Sequence, residues 1–258
     1  MTPRSRPSLT ALSIASARRR VRGRAAVASG DPGAEERLMR SLPQVPAQLP
    51  GMARYIAERT RFFDETLLDA TGRGVHQVVI VGAGYDGRGL RFRQPGVTYF
   101  EVDHPATQAD KRRRLERVGA GTEGVAFVAV DFGRQSVGEE LAAAGHRADA
   151  PTHFLCEGVT MYLPMPDLAD LVATLAARAA PGSTFAIDIV VPPGGQPLVP
   201  KAMLQLVRVG TALMGERMVS FLTPDRARRL LVEAGWSSAT IHPPDGPFPV
   251  VFALAFKA

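Results

Sequence analysis

Cysteine is nearly absent from this sequence of 258 residues, which contains only Cys156. One thiol excludes an internal disulfide and a multi-cysteine metal site, and it fits a reducing cytoplasm. Apolar runs of membrane-spanning length are also missing, because charged residues interrupt every long apolar window. We therefore expect a soluble cytoplasmic protein with no metal site and no membrane partner, and we interpret Cys156 as a buried filler.

Positive charge is concentrated near the amino terminus. The net charge is +6, and seven arginines occur within the first 24 residues. We interpret this stretch as a solvated segment; contact with nucleic acid, attraction of an acidic substrate and a targeting signal are the alternatives. A signal peptide is disfavoured because the apolar run from Leu9 to Ala17 is short and is followed at once by arginines. Leu9, Leu12 and Ile14 instead predict a short amphipathic helix.

Residues 1–50 and 51–258 differ in composition and in pattern. The first part is rich in Arg, Pro, Gly and Ala, which predicts a basic helical appendage with one helix over 34–41. The second part begins with a predicted helix over 52–69 and continues as an alternation of strands and helices. The predicted strands are 77–81, 98–102, 126–130, 152–156, 184–190, 237–242 and 249–257. The predicted helices between and after them lie near 105–118, 136–145, 166–180, 200–214 and 224–234.

This alternation predicts an α/β, Rossmann-like fold. The strands are near-continuous apolar runs, as expected when helices cover both faces of a parallel sheet. The Pro- and Gly-rich connection at 243–247 predicts a hairpin between the last two strands. We therefore expect a seven-stranded, mostly parallel sheet with one antiparallel edge strand.

A glycine-rich turn follows the first strand. Gly82, Gly84 and Gly87 satisfy the spacing G-x-G-x-x-G, and Asp103 ends the next strand. Glycines permit close backbone approach to a ligand, and a carboxylate at this offset accepts hydrogen bonds from two ribose hydroxyls. A dinucleotide and a dehydrogenase are one interpretation. Asp86 argues against a pyrophosphate in this cradle by charge repulsion, so we favour a cationic nucleoside without phosphates.

Two more acidic residues follow successive strands. Asp131, with Phe132 beside it, follows the third strand, and Glu157 follows the fourth. Ligands of open α/β sheets bind along this edge. Asp131 offers an acceptor for an exocyclic amine, Phe132 an apolar surface for a base, and Glu157 a partner for an ammonium group. Together with Asp103 they favour a positively charged adenosine compound.

At this point the sequence resembles the leucine carboxyl methyltransferase family of S-adenosylmethionine-dependent methyltransferases, including its actinobacterial small-molecule O-methyltransferases. The resemblance runs from Arg59 to Pro164 and is carried by five motifs, namely RTRFFD at 59–64, VIVGAGYDGR at 79–88, FEVDHP at 100–105, VDF at 130–132 and EGVTMYLP at 157–164. The departures are Gly87, where the family has Thr, and Gly89-Leu90, where Ala-Tyr is frequent.

The resemblance implies S-adenosylmethionine as cofactor. It implies that Arg59, with Arg61 as the alternative, contacts the methionine carboxylate, that Asp103 holds the ribose, and that Asp131 and Phe132 bracket the adenine. Glu157 is then close to the methionine amino group. The full implied cofactor set is Arg59, Gly82, Ala83, Gly84, Asp86, Asp103, Asp131, Phe132 and Glu157. The catalytic group stays unassigned, with Tyr162, His104 and His153 as candidates; the two histidines are expected near the active edge.

We therefore expect methyl transfer to a carboxylate or hydroxyl oxygen of a small molecule such as a polyketide-like secondary metabolite. Residues 192–221 are the expected lid or acceptor segment, in which Arg208 and Arg217 are available for an acidic group. Nucleic acid is a disfavoured acceptor, since the fourth strand ends in Cys-Glu-Gly and not in the motif that grips a flipped base. A cofactor-binding protein without methyl transfer is the remaining alternative.

Overall fold

The computed structural model describes residues 7–18, 26–43, 52–192, 205, 208–209, 211–212, 216–243 and 248–258. Over these residues the chain forms a seven-stranded sheet with helices on both faces. The strands β1 to β7 are Gln77–Val81, Thr98–Asp103, Val125–Ala129, Thr152–Cys156, Thr184–Val190, Ser238–His242 and Val250–Phe256. Each begins and ends within one residue of its predicted position, because long apolar runs bounded by turns leave little freedom in where a buried strand lies.

The described helices are α1 to α8, and a single turn of 3₁₀-helix, Thr160–Tyr162, precedes α7. Their bounds are Leu9–Arg18, Pro32–Arg40, Met52–Gly72, Arg88–Arg91, Pro105–Arg117, Val137–Ala143, Met165–Ala177 and Pro224–Glu233. The Asp31 carboxylate caps α2 by accepting a hydrogen bond from the Ala34 amide at 2.8 Å, and Thr223 caps α8 in the same way. The helix predicted over 200–214 lies largely outside the described residues.

The strand order shows where the sheet forms a crevice at the carboxyl ends of its strands. The order is β3-β2-β1-β4-β5-β7-β6, with β1 parallel to both β2 and β4. The chain therefore winds outward in one direction from β1 and in the other from β4, and the crevice between their carboxyl ends is where such sheets bind ligands. The expected seven-stranded, mostly parallel sheet with an antiparallel edge is confirmed; the antiparallel strand is β7, which lies between β5 and the outermost strand β6.

The sheet divides the apolar core into two layers. Alternate residues of β1 point to opposite sides, so that Val79 packs with α7 and Trp236 while Val78 packs with α3. A third, smaller apolar cluster lies beyond the carboxyl edge, where α1 and α2 pack on Tyr85 and α5. The amino-terminal helices are thus anchored at the same edge as the glycine turn. No helix among the described residues has the length and apolar character needed to cross a bilayer.

Candidate functional site

The glycine turn after β1 adopts a backbone that only glycine accommodates. Gly82 and Gly84 have φ angles of +65° and +49°, in the left-handed region. A Cβ atom on Gly82 would lie 2.2 Å from Cγ2 of Val159, so the loop after β4 closes tightly against the turn. The tight turn predicted from the glycines is therefore present, and at Gly82 it allows close packing between two loops of the sheet edge.

Asp103 is tied directly to this turn. Its Oδ2 accepts a hydrogen bond from the Gly84 amide at 2.5 Å, and its Oδ1 accepts one from the His104 amide at 2.6 Å. Burial raises the pKa of Asp103, while these two N–H donors act to lower it. Each carboxylate oxygen accepts two hydrogen bonds, so one acceptor position on each oxygen is left for a ligand.

Asp131 and Phe132 lie at the same edge, two strands from β1. Residue 129 pairs with Asp103 in the β2–β3 ladder, which brings the end of β3 beside the end of β2. The side chain of Asp131 is 28% exposed, and its Oδ2 is 3.5 Å from Nε of Arg134. Phe132 is half-buried against the apolar core. The three residues predicted to contact adenosine therefore share one edge of the sheet.

A cluster of buried ion pairs fills the crevice between β1 and β4; we call it the arginine–carboxylate cluster. Glu157 is at its centre, and three arginines converge on this carboxylate. Arg59 Nε lies 2.8 Å from Glu157 Oε1, Arg88 Nη1 lies 2.7 Å from Glu157 Oε2, and Arg18 contacts Oε1 through Nη2. The cluster consists of Arg18, Arg59, Arg88, Asp64, Asp86, Glu157 and Asp188.

The arginines keep the central carboxylates ionised. Burial alone would raise the pKa of Glu157, but Arg18, Arg88 and Arg59 together hold it below its usual range. Asp86 behaves in the same way, because burial is outweighed chiefly by Arg88 and then by Arg18. Arg88 Nη1 lies 2.5 Å from Asp86 Oδ2. Asp86 therefore does not present a free charge to the glycine turn, and the predicted repulsion of a pyrophosphate by this carboxylate is weaker than the sequence indicates.

Asp188 belongs to the site and is absent from the sequence prediction. It lies inside β5 with no exposed surface, its Oδ1 accepts a hydrogen bond from the Gly158 amide at 2.7 Å, and its Oδ2 is 3.6 Å from Nη1 of Arg59. Burial raises its pKa to about 6, against the opposing charge of Arg59. A lone carboxylate inside an otherwise apolar strand was the available signal, since such a residue is rarely buried unless it is paired.

Arg18 is the second residue that sequence reasoning assigned elsewhere. The arginine-rich segment is predicted to be solvated, and for Arg18 this is wrong, because its side chain is 17% exposed and joins the cluster. The four arginines at 19, 20, 22 and 24 lie outside the described residues. The arginines have the pattern of a solvated segment, because the carboxylates that pair with Arg18 are far away in the sequence. Arg61, the alternative to Arg59, is exposed and lies outside the cluster.

The three candidate catalytic residues occupy different positions. His104 follows β2 at the active edge, and its Nδ1 accepts a hydrogen bond from the Ala106 amide at the start of α5. His153 is the second residue of β4, beside Thr184 at the start of β5, so its expected position near the active edge is wrong. Tyr162 lies in the 3₁₀ turn after Glu157, where burial raises the pKa of its hydroxyl.

An open depression lies beside this turn. The amides of Val219 and Ser220 both donate to the carbonyl oxygen of Met161, which fixes residues 216–222 against the 3₁₀ helix. The guanidinium of Arg208 is 5.5 Å from the ring centre of Phe221. The lining is apolar with two arginines at its rim, and it is formed by Gln205, Arg208, Val209, Ala212, Arg217, Met218, Val219 and Phe221.

The model of the leucine carboxyl methyltransferase family matches residues 11–176. The chain belongs to the leucine carboxyl methyltransferase family. The match covers the glycine turn, Asp103, Asp131 and Glu157. It begins within α1, so most of this helix is part of the family region.

Curated relatives come from actinobacteria. A Mycolicibacterium gilvum protein named as a candidate S-adenosyl-L-methionine-dependent methyltransferase is 40% identical over 146 residues, which are 54% of this chain and 47% of that protein. A Streptomyces coelicolor protein with the same type of name is 42% identical over 137 residues, 52% of this chain and 48% of that protein. The chain thus spans about half the length of the curated relatives it matches.

Solved structures of methyltransferases share the fold at low sequence identity. A candidate methyltransferase from Thermobifida fusca superposes with a TM-score of 0.62 at 16% identity, covering 98% of this chain and 96% of the other. The magnesium protoporphyrin IX methyltransferase of Synechocystis, solved with bound SAH, has a TM-score of 0.56 at 14% identity and covers 83% and 90%. These similarities establish a methyltransferase-type architecture for the sheet and its helices.

Proposed function

We propose that this chain is an S-adenosylmethionine-dependent methyltransferase that methylates an oxygen atom of a small-molecule acceptor. The observation that carries the proposal is the position of Asp103, which is hydrogen-bonded to the glycine turn at the carboxyl end of β2. On the other side of β1, Glu157 follows β4, so the two carboxylates flank one crevice. A ribose at Asp103 and an amino-acid group at Glu157 would correspond to the two ends of the cofactor.

The buried polar atoms of the site fit this cofactor. Among the described residues, Glu157 Oε1 and Arg59 Nε are buried atoms without a hydrogen-bond partner, although both take part in ion pairs. Glu157 would accept from the methionine ammonium, and Arg59 would donate to the methionine carboxylate. Asp103 would accept from the ribose hydroxyls. Asp131 and Phe132 would contact the adenine through its exocyclic amine and its face.

Methyl transfer requires little covalent catalysis by the protein. The cofactor supplies a methyl group on a sulfonium that is already activated for transfer. The protein holds the acceptor oxygen in line with this methyl group and excludes water. A carboxylate acceptor is ionised at neutral pH and needs no general base, whereas a hydroxyl acceptor requires one.

A carboxylate acceptor suits the residues near Glu157 better than a hydroxyl. Burial keeps the Tyr162 hydroxyl protonated at neutral pH, so it serves as a hydrogen-bond donor that orients an anionic oxygen and not as a base. His104 uses Nδ1 to cap α5, and His153 lies at the amino end of β4. The depression beside the 3₁₀ helix, with Arg208 and Arg217 at its rim, would accept an apolar molecule bearing an acidic group.

We extend this assignment to the domain organisation. In the proposal, residues 51–258 form the methyltransferase domain, residues 1–50 form an amino-terminal appendage, and residues 192–221 are the acceptor segment, of which 192, 205, 208–209, 211–212 and 216–221 are described. The contacts of residues 219 and 220 with the 3₁₀ helix support this placement of the acceptor, since that turn begins three residues after Glu157.

Calorimetric titration with S-adenosylmethionine, S-adenosylhomocysteine and NAD tests the cofactor assignment. We expect micromolar binding of the first two ligands and none of NAD. Asp103→Ala removes two hydrogen bonds to a charged group, each contributing about 1.5–3 kcal/mol, so we expect at least about a hundredfold loss of affinity. Asp225→Ala is the matched control, because that carboxylate is 78% exposed on α8. Binding of NAD in place of S-adenosylhomocysteine would contradict the assignment.

An acceptor screen with methyl-labelled cofactor tests the chemistry. A methyl ester releases labelled methanol in mild alkali, whereas a methyl ether keeps its label. We expect an alkali-labile product from apolar carboxylic acids. Cofactor binding with no product from any acceptor would favour the binding protein without transfer, and labelling of RNA or DNA that falls steeply with added salt would favour a nucleic-acid acceptor.

A further inference from the structure

Helix α1 lies across the carboxyl edge of the sheet. The Cβ atom of Ala11 is 3.1 Å from the position that a Cβ on Gly84 would take. Before the helix, the Ser8 amide donates to Thr107 Oγ1 at 3.2 Å, and the Ser8 hydroxyl donates to Glu216 Oε1 at 2.6 Å. These contacts connect α1 to α5 and to the segment at 216–222. The helix therefore covers the glycine turn, and its carboxyl end lies beside Glu157, at the place proposed for the amino-acid end of the cofactor.

Arg18, the last residue of α1, enters the arginine–carboxylate cluster. Its Nη2 forms an ion pair with Glu157 Oε1, and its Nη1 is 3.5 Å from Asp86 Oδ2. Removing a guanidinium from water is costly, and the two carboxylates offset this cost. The position of α1 and the charge state of the cluster are therefore linked through one side chain.

Arg18 brings the charge of the cluster to zero. Asp64 pairs with Arg88 at 2.8 Å and also with Arg91 at 2.7 Å, and the charge of Arg91 matches its charge. The remaining carboxylates, Asp86, Glu157 and Asp188, are then matched by the three guanidinium groups of Arg18, Arg59 and Arg88. Without Arg18 the cluster carries one excess negative charge. The ammonium group at the amino-acid end of S-adenosylmethionine, which S-adenosylhomocysteine keeps, is a positive charge that can take the place of the Arg18 guanidinium beside Glu157.

The contact between Arg18 and Glu157 is an ion pair with poor hydrogen-bond alignment. Among the described residues, Arg18 Nε and Glu157 Oε1 are both buried without a hydrogen-bond partner. A primary ammonium group has three donors that rotate about one bond, so it aligns with such an oxygen more easily than a planar guanidinium held by a helix. A ligand ammonium would therefore compete well for this oxygen.

We propose that Arg18 competes with the ammonium group of the cofactor for Glu157, an inference that rests on the proposed function. In this view α1 is a lid, held closed over the glycine turn by its own cation. The amino-acid end of the cofactor releases Arg18 from Glu157 as it binds. The adenosine end has no group that replaces Arg18, so it does not release the lid.

Titration with two ligands tests the competition. S-adenosylhomocysteine carries the amino-acid end, whereas 5′-methylthioadenosine has the adenosine part without it. We expect Arg18→Gln to bind S-adenosylhomocysteine at least about tenfold more tightly than the native protein, because the ligand no longer breaks a charge-assisted contact. Binding of 5′-methylthioadenosine should change by less than about twofold, since such a shift is below 0.5 kcal/mol.

Three variants make the result specific. Arg18→Lys keeps the charge and should restore native affinity. Arg18→Met keeps the apolar stem and replaces Arg18→Gln if that variant fails to fold, as judged by its thermal midpoint. Arg40→Gln is the matched control, because Arg40 is exposed on α2 and pairs with Glu36 one turn away. It should leave both affinities at the native value.

Each contrary outcome overturns the inference in a different way. Weaker binding of S-adenosylhomocysteine by Arg18→Gln would make Arg18 a ligand of the cofactor carboxylate and not a competitor. An equal gain for both ligands would mean that α1 simply blocks the adenosine site. Failure of the native protein to bind either ligand would overturn the proposed function itself, and the competition with it.

Discussion

A buried histidine makes the stability of this fold depend on pH. His153 has no exposed surface, its Nδ1 is 2.7 Å from Thr184 Oγ1, and its Nε2 is buried without a hydrogen-bond partner in the described part of the chain. Burial, together with the charges of Arg73 and Arg88, lowers the pKa of the imidazole from 6.5 to about 3. The folded state therefore holds His153 neutral at a pH where the unfolded chain is protonated.

The sign and size of the effect follow from this difference. Because the folded pKa lies below the unfolded value, the stabilisation is complete above pH 6.5 and is lost as the pH falls toward 3. Between pH 7 and pH 5 the unfolded state takes up most of one proton on His153 and the folded state takes up almost none. At about 1.36 kcal/mol per pKa unit, the free energy of unfolding then falls by about 2 kcal/mol.

Urea unfolding of the native protein and of His153→Gln at pH 5, 6 and 7 measures this contribution. We expect the native protein to lose about 2 kcal/mol more than the variant over this range. Thr184→Val is the control, because it removes the hydrogen-bond partner of His153 but keeps the imidazole, so its pH dependence should stay steep. Equal pH dependence in His153→Gln and the native protein would refute a buried neutral His153. Cofactor affinity should be unchanged in this variant, because His153 lies at the amino end of β4.

Two further substitutions test the site. Arg88→Met removes a guanidinium group that is 1% exposed and pairs with three buried carboxylates, so we expect a loss of about 3–5 kcal/mol in the free energy of unfolding and a thermal midpoint lower by about 10 °C; an unchanged midpoint would contradict the ion-pair geometry. Gly82→Ala places a methyl group against Val159 at a positive φ, and we expect it to abolish binding of S-adenosylhomocysteine. The control Gly145→Ala has a φ of +94° and no neighbour within 4 Å, so it should cost only about 1–2 kcal/mol and leave binding intact.

The strands and the cofactor edge could be predicted from the sequence because their signals are local. Each strand is a short apolar run, and a run bounded by turn residues forms a buried strand wherever the sheet places it. Gly82 follows β1 and Asp103 ends β2, and these two strands with the helix between them form a fixed unit of parallel sheets. This unit brings the glycine turn beside the end of β2, where the Gly84 amide donates a hydrogen bond to Asp103 at 2.5 Å.

The arginine–carboxylate cluster could not be predicted in this way. Arg18 and Glu157 are 139 positions apart, and no periodic pattern connects a helix before the sheet with a loop after its fourth strand. An isolated arginine run has the composition of a solvated segment, and burial of one member is decided by partners that only the fold assembles. Asp188 is a similar case. The pattern of β5 indicates a buried strand, but it does not indicate that Arg59 and the Gly158 amide contact the Asp188 carboxylate.

The cofactor is easier to infer than the acceptor, because the residues proposed for the two ligands lie on different parts of the fold. Apart from Arg59 on α3, the groups proposed for the cofactor lie at the carboxyl ends of β1, β2, β3 and β4, so their positions are fixed by the sheet that forms the core. The walls available to an acceptor come from α1, the 3₁₀ helix and the segment around Arg217, which are joined to the sheet by a few hydrogen bonds. Residues on such segments change without cost to the core, so one fold serves many acceptors. Substitutions at Arg208 and Arg217 should therefore alter acceptor affinity while leaving binding of S-adenosylhomocysteine unchanged.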